Sequence, residues 1–149
     1  MLVRILVNRG ITTKEQVAKY LKPDLDHLYD PYLLKGLDVA VERIKYAVEM
    51  GEKVAIYGDY DVDGITSVSL LLKMFTQLGG TAEYYIPNRS REGYGLHKAA
   101  LDSLHQQGVA LVITVDTGIS CVGEAAYAEA GKVAEEVYIQ LKTAYFVLH

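Results

Sequence analysis

The stretch Gly58–Gly64, GDYDVDG, sets Asp59, Asp61 and Asp63 at every second position directly after the apolar run Val54–Tyr57. In extended backbone, residues i, i+2 and i+4 project to one side, so the three carboxylates crowd together unless the turn reorients one of them. Like charges held that close raise one another's pKa unless a cation neutralises them. Hard anionic oxygen ligands favour Mg²⁺ or Mn²⁺ over zinc or copper, whose sites recruit His or Cys. The stretch therefore reads as a divalent-metal site. The same letters open an EF-hand calcium loop, but the twelfth position, which supplies a bidentate Glu there, is Leu70 here. The flank is also wrong, because KVAIY is short, apolar and bounded by glycines, as a buried strand is. The plain alternative is a solvated acidic turn, since Asp and Gly are ordinary turn residues.

Two further polar clusters accompany the first: Asn88, Arg89 and Glu92 in PNRSREGYG, and Asp116 in DTG. The elements around them decide whether they can meet. Apolar residues at helical spacing over Leu37–Met50 predict a helix stopped by Gly51, and it leads into the strand Val54–Tyr57. The run Ile65–Leu78 is too long for a strand and ends at Gly79-Gly80 as a helix does. The unit then repeats: strand Ala82–Ile86, loop Pro87–Gly95, helix Leu96–Gln107, strand Val109–Val115, loop, helix Ser120–Ala130. Strands alternating with helices predict an α/β fold, a three-layer Rossmann-like, mostly parallel sheet with helices on both faces. In such sheets ligands bind beyond the carboxyl ends of the strands, where all three polar clusters fall. Ahead of the sheet, Thr12 and Glu15 at capping-box spacing open a short helix over Ile11–Leu21 that Pro23 closes, giving a short helical N-terminal segment. The connector that follows is irregular, and its lone His27 has no partner ligand or nucleophile nearby.

At 149 residues and half apolar, the chain has the size and composition of a single domain with its own core. One cysteine, Cys121, excludes an intramolecular disulfide and suits a reducing compartment. No apolar run approaches the roughly 18 residues that span a bilayer, and the N-terminus lacks a signal-type apolar region, so a cytoplasmic protein without a membrane partner is expected. A formal net charge of −4 argues against bulk electrostatic coating of nucleic acid. It leaves room for a nuclease, because much of the negative charge sits where metal ions would bind.

IYGDYDVDGITS, then IPNR with EGYGL, then ITVDTGIS, resemble in order and spacing the first three motifs of the DHH phosphoesterase family, over about Val7 to Ala130. The second motif is similar to that of the family's 5′-to-3′ single-stranded-DNA exonucleases, which serve DNA repair and recombination. The resemblance implies two Mn²⁺ or Mg²⁺ ions, with Asp61 and Asp63 as metal ligands, Asp116 bridging the ions and Asp59 as a supporting catalytic carboxylate. Asn88 and Arg89 would approach the phosphate, for which the planar, two-pronged guanidinium is suited. A salt bridge to a neighbouring acid is the structural alternative for Arg89. Tyr94 would stack on a base or fill its turn, and His97 would contact phosphate or sit on a helix surface.

The family's fourth motif, Asp-His-His, is not found after Ala130. GKVAEEVYIQLKTAYFVLH stands there instead, with Val133, Val137, Leu141 and Tyr145 at helical spacing. The expected organisation is a helical N-terminal extension (1–50), a partial phosphoesterase domain (51–130) and a divergent helical tail (131–149). The expectation is the N-terminal part of such an exonuclease, truncated or diverged after Ala130, with an impaired site. Two alternatives remain open: a phosphodiesterase of short oligonucleotides or cyclic dinucleotides, and a non-catalytic binding module. Self-association through the tail or an exposed sheet edge is a further expectation.

Overall fold

A computed structural model of the chain describes residues 2–118, 120–129 and 139–141. Two compact units divide at Lys35/Gly36. In the first, helices α1 (Leu2–Asn8) and α2 (Lys14–Leu21) are followed by two 3₁₀ turns, Leu25–His27 and Pro31–Leu33. The cap of α2 lies one residue later than the sequence suggests: Thr13 accepts the Gln16 amide, and the Gln16 side chain accepts the Thr13 amide. Gln16 is thus the reciprocal partner that Glu15 was expected to be. His27 caps its own turn, Nδ1 accepting the Asp24 amide at 3.2 Å.

The second unit begins with α3 (Leu37–Met50), which matches its predicted span and ends at Gly51 in the left-handed conformation. Ala40, Ile44 and Ala47 pack this helix against the sheet. The sheet has four parallel strands, β1 (Val54–Tyr57), β2 (Ala82–Tyr85), β3 (Leu111–Val115) and β4 (Ile139–Leu141), in the order β2-β1-β3-β4. Between them run α4 (Val62–Gln77), α5 (Lys98–Gln106) and α6 (Val122–Tyr127). β4 corrects one expectation: Leu141 belongs to a strand paired with Val115, not to a helical stripe. The rest of the predicted tail helix lies outside the described residues.

Strand alternation sorts the core into two layers. Val54, Ile56, Leu111, Ile113 and Val115 pack with α3 and with Val68 and Phe75 of α4. Ala55, Tyr57 and Val112 face the other way, against Ala100, Leu101 and Leu104 of α5 and Ala128. Helices therefore cover both sheet faces, as the near-continuous apolar strands require. Phe75 is fully buried, and its truncation to Ala would cost about 3–5 kcal/mol.

This topology fixes where a ligand can sit. The chain leaves β1 for α4 on one face, whereas after β3 it leaves towards the α5 face, where Tyr127 and Ala128 pack. β1 and β3 are neighbours in the sheet, so their outgoing loops part in opposite directions. A crevice opens at such a switch point, at the carboxyl ends of the strands.

Candidate functional site

Both acidic loops border that crevice. The first is more sharply turned than alternating acids in extended backbone would be. Asp61 is the N-cap of α4: its Oδ1 accepts the Gly64 amide at 3.0 Å, and Asp63 already lies in the first helical turn. The helix thus starts three residues before the expected Ile65, and the turn reorients the third carboxylate. Asp59 is buried, and its Oδ1 accepts the Tyr60 amide at 2.7 Å. Close packing makes the turn possible. A Cβ on Gly64 would fall 2.4 Å from the Asp59 carbonyl oxygen, and one on Gly58 would fall 2.3 Å from Val68 Cγ2.

Asp116 ends β3 from the other side of the crevice. Its φ of 57° is the one left-handed value among the described non-glycine residues, a conformation Asp tolerates better than most. Burial pushes its carboxyl above the ordinary value, and the charges of Asp61 and Asp63, a hydrogen bond with Asp61 and the charge of Asp59 push it further. The fold thus brings all four predicted acids into one electrostatic neighbourhood.

The loop after β2 touches both acidic loops, through Arg89 at Tyr60 and Tyr94 at Asp116. Asn88 is exposed, but its side chain is spent on the loop itself, Oδ1 accepting the amides of Ser90 and Arg91. Arg89 makes no salt bridge to a described acid and lies over the Tyr60 ring instead, its guanidinium carbon 5.4 Å from the ring centroid. The hydroxyl of Tyr94 donates to the Asp116 carbonyl at 3.3 Å. His97 is the N-cap residue of α5, with Nε2 3.4 Å from the Gly93 carbonyl. Tyr60 was not foreseen as a neighbour of Arg89. Its place between Asp59 and Asp61 was the available signal.

The donor set, all carboxylate, has the chemistry a hard divalent cation requires. Among the described residues, however, no three of His, Cys, Asp and Glu stand close enough together to hold a metal ion. The acids feel one another without forming a closed ligand cage.

A parallel α/β sheet with acidic loops at its switch point defines a known class, and residues 53–139 match the N-terminal domain of the DHH family. The chain belongs to that family. Its homologues include proteins named single-stranded-DNA-specific exonuclease RecJ. That of Bacillus subtilis is 43% identical over 137 residues, covering 92% of this chain and 17% of that protein. That of Escherichia coli is 34% identical over 121 residues, covering 80% of this chain and 20% of its own length. The crystal structure of RecJ in complex with Mn²⁺ from Thermus thermophilus superposes with a TM-score of 0.60 at 27% identity, over 86% of this chain and 17% of that one. The chain spans about a fifth of the length of these relatives. No helix among the described residues is long and apolar enough to cross a membrane.

Proposed function

We propose that this chain carries part of the catalytic face of a 5′-to-3′ single-stranded-DNA exonuclease acting in DNA repair and recombination. The observation that carries the reading is the placement of Asp59, Asp61 and Asp63 after β1 and of Asp116 after its neighbour β3, close enough that the charges of the first three raise the Asp116 pKa. In this reading Asp61, Asp63 and Asp116 hold Mn²⁺ or Mg²⁺, and Asp59 supports them. When bound, two such ions supply Lewis-acid stabilisation of the scissile phosphodiester and activation of water. The chain's own groups bind and orient. Arg89 offers two parallel donors to a phosphate, the Asn88 turn fixes where that arginine starts, and Tyr94 presents an exposed ring on which a base can stack. His97 lies at the foot of the same loop as a further phosphate contact.

Because the described acids do not close into a cage, we expect weak metal binding and little turnover by this chain alone. Calorimetric titration of Mn²⁺ into the chain and its Asp61→Ala variant, followed by digestion of 5′-labelled single-stranded DNA, tests this. Binding that Asp61→Ala abolishes supports the assignment. Mn²⁺ binding indifferent to that substitution overturns it, and turnover matching a complete exonuclease overturns the expectation of impairment. Cleavage of dinucleotides with none of longer DNA would move the substrate to the small-molecule class.

A further inference from the structure

Arg89 and Tyr94 are useful only if the loop that carries them keeps one shape. The Glu92 side chain makes two of its fastenings. Its Oε2 accepts the Asn88 amide at 2.7 Å, and its Oε1 accepts the Tyr85 hydroxyl at 2.5 Å. The first bond closes the loop on itself, around an Asn88 carbonyl that also accepts the amides of Arg91, Glu92 and Gly93. The second anchors the loop to β2.

The anchor is itself braced by the sheet. Parallel register sets Tyr85 beside Tyr57, and the two rings stack with centroids 4.9 Å apart. Tyr57 is fully buried, and its hydroxyl donates to the Gly95 carbonyl at 3.1 Å. One tyrosine thus fastens the middle of the loop to β2 and its neighbour fastens the end to β1. From that base Arg89 reaches Tyr60 of the first acidic loop and Tyr94 reaches Asp116 of the second. A carboxylate that accepts two hydrogen bonds in different directions fixes a loop better than either bond alone.

We propose that Glu92 is a positioning residue for the nucleic-acid phosphate. Its carboxylate, fixed between Tyr85 and the Asn88 amide, sets the Asn88–Gly95 loop so that Arg89 meets a phosphate of a single strand beside the acidic crevice. The inference rests on the phosphodiester reading of that crevice and adds a residue outside its metal and phosphate contacts. Glu92 acts through Arg89 and does not touch the substrate.

The test combines amide hydrogen exchange with binding of a fluorescent 5′-phosphorylated oligothymidylate, on the full chain and its Glu92→Gln, Tyr85→Phe, Arg89→Ala and Glu92→Gln/Arg89→Ala variants. Glu92 lies in a partly exposed surface loop, so the fold should survive its replacement, which thermal melting checks. Glu92→Gln is expected to speed exchange at residues 88–95 by about tenfold while leaving β3 protected. It should weaken oligonucleotide binding by about tenfold, and add nothing once Arg89 is Ala. Tyr85→Phe should reproduce the exchange effect in smaller measure. Unchanged protection of the loop in Glu92→Gln overturns the proposal, as do binding losses from Glu92→Gln and Arg89→Ala that multiply independently. Should the wild-type chain not bind the oligonucleotide, the phosphodiester reading falls, and the exchange comparison alone decides whether Glu92 sets the loop.

Discussion

Arg89 lies over the ring of Tyr60, the residue between two acids of the first loop, with 5.4 Å between guanidinium carbon and ring centroid. A cation–π contact of this kind restrains the guanidinium over the ring. At an exposed site the contact contributes about 0.5–1 kcal/mol, too little to matter for folding and enough to bias one rotamer. Arg89→Ala should leave thermal stability nearly unchanged and weaken single-stranded oligonucleotide binding. If the side chain neutralises one phosphate, the slope of log K against log salt should fall by about 0.7. Fluorescence anisotropy at several salt concentrations reads this directly, and an unchanged slope would remove Arg89 from the phosphate face.

Asp116 is charged at a cost when no cation is present. Its folded-state pKa is raised above the ordinary 3.8 by burial and by Asp61, Asp63 and Asp59. A raised carboxyl pKa means that the folded state holds its proton longer, so stability falls as pH rises from 3.8 through the folded value. Asp116→Asn should therefore raise the melting temperature at neutral pH in chelator by a few degrees, on the order of 1–4 °C. The gain should vanish below pH 3.8, where both states are protonated. Added Mn²⁺ should stabilise the wild type and leave Asp116→Asn behind. Melting in chelator across pH, and in Mn²⁺ at neutral pH, checks both arms.

Glu92 carries the opposite sign. The Asn88 amide, and after it the Tyr85 hydroxyl, hold its carboxyl below the ordinary 4.5. That contribution is complete above pH 4.5 and is lost as pH falls through the lower folded value. The stability difference between wild type and Glu92→Gln, measured by urea unfolding, should be constant above pH 4.5 and shrink below it. Tyr85 reports the same bond from the other side, its hydroxyl pushed up to about 12 by burial first and then by Glu92.

Two glycines of the first loop should fail differently. The methyl of Gly64→Ala would meet Asp59 backbone at 2.4 Å, which no side-chain change can relieve, and should destabilise by about 1–3 kcal/mol or more. The methyl of Gly58→Ala would meet Val68 Cγ2 at 2.3 Å. Val68→Ala removes that atom, so the double variant should be more stable than the sum of its single losses predicts, by roughly 0.5–3 kcal/mol. Val68→Ala should not relieve Gly64→Ala. Urea denaturation of the single and double variants decides it.

The residue pattern by itself determined the class of fold and the sheet edge on which the acidic loops fall. Val54–Tyr57 and Leu111–Val115 are buried at every position, as strands covered on both faces are. Leu37–Met50 repeats at helical spacing and ends at a glycine, and both signals are local. Local signals also misled. The tail's apolar spacing read as helix through Leu141, yet Ile139–Leu141 pairs with β3, because an available strand edge outweighs a weak periodicity. Gln16 rather than Glu15 closes the cap of α2, since the two spacings differ by one residue and only backbone geometry selects between them. The arrangement within the site needed the tertiary structure. Strand order put Asp116 opposite Asp61 and Asp63, parallel register set Tyr85 beside Tyr57, and the start of α4 at Asp61 turned Asp63 away from the alternation that its spacing implied. Those are contacts between residues far apart in the chain or reoriented by a cap, and no periodicity along one dimension encodes them.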